Sequence, residues 1–219
     1  MGFLAIVFVI GMGWGLGGFV KGSSEHNVAE VNGAVISKAE YDRNYEQTYR
    51  LYRNLLQENV NEEMVKNFVM DSLVEKKLWI QAAHEMGLSL SLEELQNAVI
   101  HTPSFQDKGR FDPELYSRVL RLNKLNPEVY EQNLREELLI EKAKNTIRDA
   151  VVLTNSEIKE AQASMKEKMK DKKVAPDQQA VEEAKALGDL LQQKRQRAVL
   201  AYQENLKANS KISIQRRLL

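Results

Sequence analysis

Two helix starts of the same design punctuate the stretch from Leu92 to Ile147, LEELQNAVIHTPSFQDKGRFDPELYSRVLRLNKLNPEVYEQNLREELLIEKAKNTI. They are Asp112-Pro113 and Asn126-Pro127. In each, a polar side chain can cap the first turn, and the proline fills the first helical position, where its missing N–H would have had no partner. The segment is therefore committed to separate helices with fixed beginnings. Between them lies the loop Pro103 to Phe111, in which Phe105 and Phe111 flank the polar turn Gln106-Asp107-Lys108-Gly109-Arg110. A loop that bends back on itself lays such rings on helix faces, so both are predicted anchors. Long charged-apolar runs of helical period, and four prolines in 219 residues, predict a mainly α protein.

The other helices follow from the same signals. A first long helix, Lys38 to about Glu58, carries Tyr41, Tyr45, Thr48, Tyr49, Tyr52, Leu55 and Leu56 at three- and four-residue spacing, hence on one face. This tyrosine stripe reads either as half-exposed packing or as a wettable, adhesive surface. A second helix begins near Asn61 and ends at Gly87, which suits a left-handed position past a helix end. Its apolar residues, Phe68, Leu73 and Trp79 among them, cover more than one stripe, so it is predicted to be the spine of the domain. Ser91 with Glu94 and Thr154 with Glu157 are capping boxes that open further helices. The helix from Pro113 is predicted to bury Tyr116, and the helix from Pro127, running toward Ala150, to bury Leu134 and Leu138. A last helix, Ala180 to Ala208, turns Tyr202 inward.

A small sheet is also expected. Asn32-Gly33 separates two short apolar runs within Ala29 to Ile36 and suits a two-residue hairpin turn with positive φ at both positions. Ser37 with Glu40 is a further capping box behind it. A lone hairpin is marginal in water, and Lys211 to Gln215 supplies the candidate third strand.

Met1 to Val20 carries no charged side chain. As a helix it would span about 30 Å, the thickness of a bilayer's hydrocarbon core. The competing reading is a cleaved signal peptide; the length of the run and the lack of an A-x-A-like site favour an uncleaved anchor in contact with lipid. Charge fixes its orientation poorly, since Lys21 alone would favour a cytoplasmic C-terminus.

Chemistry is sparse. Lys+Arg and Asp+Glu each number 31, for a formal net charge of +0, without the basic excess of a nucleic-acid binder. The absence of cysteine excludes disulfides and thiolate metal sites. His101, Ser104 and Asp107 crowd one loop, a poor route to nucleophile, base and orienter geometry. His26 and His84 form no pair with His101 at metal-binding spacing. No glycine-rich phosphate loop is present, and no cofactor or metal is expected.

The segment TPSFQDKGRFDPELYSRVL, followed by NPEVYEQNLREELLIEKA, resembles the helical chaperone domain of the SurA/PpiD-like periplasmic folding factors. Thr102, Pro103, Phe105, Gln106, Gly109, Phe111, Asp112, Tyr116 and Leu120 fall in register with that family's motif. The resemblance implies a transmembrane anchor at 1–21, a linker at 22–27 and a chaperone domain at 28–165. Residues 166–179 would be a charged linker where relatives carry a parvulin-type prolyl isomerase domain, and 180–219 a helix and strand completing the chaperone domain. It further implies a single-pass protein of the bacterial inner membrane with its soluble part in the periplasm. The expected activity is non-catalytic holding of unfolded or newly translocated polypeptides in an open helical cradle near the translocation channel. Tyr41, Tyr45, Tyr49, Tyr52, Phe105 and Phe111 are the candidate client contacts. The alternatives are residual or partner-dependent prolyl isomerase activity and an anchored scaffold with one specific partner.

Overall fold

The structure, a computed structural model, describes residues 27–56, 60–123, 125–169 and 176–219. The expected anchor, nearly all of the linker after it and residues 170–175 of the charged linker lie outside the described residues. No helix among the described residues is long and apolar enough to cross a membrane. They form two compact units. One runs to Glu141 and takes back Asn209–Leu219; the other is Lys142–Ala208.

The first unit opens with a hairpin, β1 (Asn27–Val31) and β2 (Ala34–Ser37). Asn32 and Gly33 make its turn with φ of 48° and 88°, the left-handed pair that a two-residue turn demands. The third strand is β5 (Ile212–Ile214), and the sheet order is β2-β1-β5, antiparallel throughout. Asn32 ties three segments together at one point. Its amide nitrogen donates to Gln81 Oε1 (2.9 Å) and Ser210 Oγ (3.0 Å), and its amide oxygen accepts from the Lys211 N–H (2.8 Å). Gln81 in turn donates to the Val31 carbonyl (3.1 Å).

Helix α1 is Lys38–Leu56 and α2 is Glu62–Glu85. Asn61 caps α2 by accepting from the Met64 N–H, and Gly87 (φ 72°) follows its end. Ten residues of α2 are buried, including Val65, Leu73, Leu78 and Trp79. Phe68 is not among them. Predicted as core, it is 52% exposed, although the Tyr52 ring meets it in a T-shaped contact. Helical periodicity marks the residue as apolar-faced without saying where the covering layer stops.

Helix α3 (Leu92–Ile100) begins with the reciprocal Ser91–Glu94 capping box. After a 3-10 turn at Pro103–Phe105 come two very short strands, β3 (Gln106–Asp107) and β4 (Arg110–Phe111). Lys108 (φ 49°) and Gly109 (φ 78°) turn between them, so the polar turn seen in the sequence is a miniature hairpin. Helices α4 (Pro113–Leu122) and α5 (Pro127–Asp149) start at their prolines. Asp112 accepts from the Glu114 and Leu115 N–H groups, and Asn126 from the Val129 N–H.

In the second unit, α6 (Asn155–Met169) and α7 (Pro176–Ala208) are joined side by side. Helix α7 starts earlier than the predicted Ala180, since proline is tolerated in a helix's first turn. Glu157 receives three donors: the Thr154 N–H (2.7 Å), the Thr154 hydroxyl (2.8 Å) and Lys194 Nζ (2.7 Å). Lys194 also donates to the Val152 carbonyl (3.1 Å), and Gln162 to Glu183 (2.5 Å). Tyr202 is half-buried on α7.

Trp79 is almost fully buried in the C-terminal half of α2. Trp79→Ala should destabilise the chain by about 3–5 kcal/mol in urea denaturation, the usual cost of a large cavity. In the second unit the Lys194 ammonium, with the Thr154 donors, pulls the Glu157 carboxyl down to about 2. A depressed carboxyl contributes stability above its ordinary value of about 4.3 and loses it as pH falls through the folded value. Thermal melts between pH 5 and 2 should therefore show an acid loss that Lys194→Met reduces.

Candidate functional site

Among the described residues of the first unit, aromatic side chains gather at two places, and the two differ in how far they are covered. The first is the cluster under the small hairpin. Phe105 is 2% exposed and packs edge-on against Tyr116 (ring centroids 4.9 Å apart) and Tyr130 (5.2 Å). Phe111 tilts against Tyr116 at 5.9 Å. Leu95, Val99, Leu120 and Leu134 complete the buried cluster, with Leu138 packed against it. The backbone fixes the loop over it: the Asp112 N–H donates to the Phe105 carbonyl (2.8 Å), and Gln106 donates to the Ile100 carbonyl (2.8 Å). Burial, with the neighbouring Glu131 carboxylate that accepts from its hydroxyl (3.2 Å), holds the Tyr116 phenol well above its ordinary value. Burial also raises Tyr130, against the opposing effect of a Thr102 hydrogen bond.

The second place is the tyrosine stripe of α1 with the first turns of α2. Tyr41, Tyr45 and Tyr49 stack in succession, with centroids 6.2 Å and 5.8 Å apart, and Tyr52 meets Phe68 at 6.1 Å. The stripe is graded. Tyr41 is 2% exposed, and its phenol is pushed up to about 12, chiefly by burial and then by Tyr45 and Asp42. Tyr45, Tyr49 and Tyr52 are half-buried. Beyond them Leu55, Met64 and Phe68 are exposed, at 70%, 47% and 52%. Large apolar side chains thus come to the surface at the end of α1 and in the first turns of α2.

The six predicted client contacts therefore divide. Tyr41 and Phe105 are interior and present almost no surface to a ligand. Tyr45, Tyr49, Tyr52 and Phe111 retain some. The arrangement adds Met64 and Phe68, which sequence reasoning assigned to the spine helix; both stand directly before buried residues, Val65 and Val69, so nothing in the local sequence set them apart. Of the predicted structural residues, Leu73, Trp79 and Leu134 are buried, Tyr116, Leu138 and Tyr202 are half-buried, and Phe68 is open.

The His101 Nδ1–H donates to the Asn97 carbonyl (2.7 Å), as a helix-end side chain does. Among the described residues no group of three or more His, Cys, Asp or Glu side chains is placed to hold a metal ion.

Comparison with known proteins agrees with the motif at Thr102 to Leu120. A family described as SurA-like N-terminal domain matches residues 1–144. Among curated proteins, the chain is 26% identical over 167 residues to the periplasmic chaperone PpiD of Haemophilus influenzae, covering 73% of this chain and 26% of that protein. It is 27% identical over 158 residues to periplasmic chaperone PpiD of Escherichia coli K12, covering 67% and 24%. With periplasmic chaperone PpiD of Haemophilus ducreyi it shares 27% over 150 residues, covering 63% and 23%. The chain spans about a quarter of the length of the curated relatives it matches.

The burial contrast is measurable. Phe105→Ala should cost about 3–5 kcal/mol in urea denaturation, whereas Phe68→Ser should change stability by less than about 1 kcal/mol, as substitutions at open positions do.

Proposed function

Because this chain belongs to the SurA-like N-terminal domain family, we propose that it is a chaperone of the bacterial envelope that holds non-native polypeptides without any chemical step. The exposed end of the α1–α2 pair carries this reading. Phe68, Met64 and Leu55 are open to solvent, and Phe68 meets the half-buried Tyr52, which follows Tyr49 and Tyr45 along α1. Tyrosine supplies large contact area at a low cost in side-chain entropy, and its hydroxyl keeps the surface wettable when no client is bound. Methionine adds a flexible, polarizable contact that adapts to varied partners. Such a surface suits loose, promiscuous binding of unfolded segments. Phe111, half-buried at the miniature hairpin, is a secondary contact.

In this reading residues 1–21 anchor the chain in the inner membrane and residues 28–165 form the chaperone domain on the periplasmic side. Residues 166–179 are a linker, and 180–219 complete the domain. Tethering near a translocation channel raises the local concentration of emerging chains, so weak contacts suffice. The relatives' name, periplasmic chaperone, supports both the compartment and the client class.

The test is suppression of aggregation. The full chain, kept in mild detergent, should lower light scattering by a chemically unfolded client at stoichiometric amounts. The triple variant Tyr52→Ser, Met64→Ser, Phe68→Ser should lose that protection several-fold while melting at nearly the wild-type temperature. Equal protection by the variant would move the client surface elsewhere. Failure of the wild type to protect, together with crosslinking to a single protein in cells, would replace the holdase by the scaffold. Accelerated cis–trans exchange of an X-Pro peptide, slow enough unaided to be timed easily, would overturn the absence of catalysis.

A further inference from the structure

Helix α5 faces α2 with a charged cluster that client binding does not explain. Lys76 of α2 is buried, and its ammonium lies 2.8 Å from Glu136 of α5. Glu137, the next residue, is half-buried beside the same lysine. Asn133, four residues before Glu137 and so on the same side of the helix, is 3% exposed, and neither its amide oxygen nor its amide nitrogen has a partner in the chain. One cation thus faces two carboxyls in a poorly hydrated place.

We propose that Lys76, Asn133, Glu136 and Glu137 form a proton-operated latch that fastens α5 to α2 when Glu137 is neutral and loosens when it ionises. With Glu137 protonated, the Lys76–Glu136 pair is balanced. The Glu137 hydroxyl then has a proton to give, and the Asn133 amide oxygen is the free acceptor on its own face. With Glu137 ionised, two negative charges share one ammonium. The second has no counterion, and an uncompensated charge away from water is strongly unfavourable. Glu136 and Tyr130 are titratable neighbours on Glu137's own helix, the exposed Glu141 stands one turn further on, and Lys76 is the charge on α2.

Burial, and then the neighbouring Glu136, hold the Glu137 carboxyl up at about 7, against the opposing pull of Lys76. A carboxyl raised on folding favours the folded state below its ordinary value of about 4.3 and withdraws that support as pH climbs through the folded value. The latch is therefore closed at pH 5 and open at pH 8.

Carbon NMR of side-chain-labelled glutamate in the full chain tests this directly. One carboxyl should titrate near 7, and its signal should be missing in Glu137→Gln. The urea midpoint of the wild type should fall between pH 5 and 8, and Glu137→Gln should remove most of that fall. Glu136→Gln, which leaves Glu137 as the sole counterion of Lys76, should shift the titration to lower pH. If Glu137→Gln does not fold, the wild-type titration and the Glu136→Gln shift decide. Carboxyls that all titrate below about 5, or an unchanged pH profile in Glu137→Gln, would overturn the proposal.

Discussion

Two consecutive lysines on α2 set the register of the first unit. Lys76 reaches Glu136 of α5 at 2.8 Å, and Lys77 reaches Glu40 of α1 at 3.1 Å. Neighbouring residues on a helix point about 100° apart, so one dipeptide binds α2 to a different helix on each side. Both pairs are largely covered by protein. A covered ion pair gains little net stability, since desolvating two ions offsets most of their attraction. Its value is positional: sliding either helix by one turn would strand a charge away from water, at a cost of several kcal/mol. Apolar packing of Val65, Leu73, Leu78 and Trp79 supplies the driving force, and the lysines select one arrangement from the many that apolar packing alone would accept.

The same unit is closed by a strand from the far end of the chain. Residues 209–219 return to it after the whole of the second unit, and β5 pairs with β1 through Ala29–Ile214, Glu30–Ser213 and Val31–Ile212. A two-stranded hairpin has too little buried area to persist in water. The third strand covers the free edge of β1 and brings Lys211 to the Asn32 side chain. Asn32 therefore serves twice. Its backbone takes the positive φ that the turn requires, and its amide links the turn to Gln81 on α2 and to Ser210. An aspartate would keep the turn and lose the two donors; an alanine would lose both. The second unit is an insertion between parts of the first, and within it Glu157 pairs with Lys194 of α7.

Much of this was legible in the sequence because it rests on local rules. Asn32-Gly33, Ser91 with Glu94, Thr154 with Glu157, Asp112-Pro113 and Gly87 each satisfy a backbone requirement within a few residues, and each sits where the rule put it. The third strand was legible from a less local argument, the insufficiency of a lone hairpin. Coverage was not legible. Tyr41 and Tyr52 share one stripe of α1, yet one is sealed and the other half-open, because that depends on where α2 crosses. Phe105 and Phe111 flank one turn, yet Phe105 alone is driven fully inside, between Tyr116 and Tyr130. The lysine pairs were hidden for the same reason: charges far apart in sequence carry no mark of their partners.

The distribution of aromatic residues follows from two different demands. Under the miniature hairpin, Phe105 meets Tyr116 and Tyr130 edge-on, the geometry in which ring quadrupoles attract. The Tyr116 hydroxyl is satisfied by Glu131, so the cluster closes with that polar tip paired. Its centre, Phe105, is sealed, and of the rings around it Phe111 keeps part of its surface. On α1 the rings stack with one another along their own helix and then run out of neighbours toward Phe68. Stacking pre-orders Tyr45 and Tyr49, so less side-chain freedom remains to be lost when a partner arrives. Charged residues such as Glu62, Glu63 and Lys66 fringe this surface, so its apolar and tyrosine side chains stand beside hydrated groups. The rigid cluster and the open stripe are thus complementary uses of one residue type: the first fixes the scaffold, and the second can stay exposed because the scaffold is fixed.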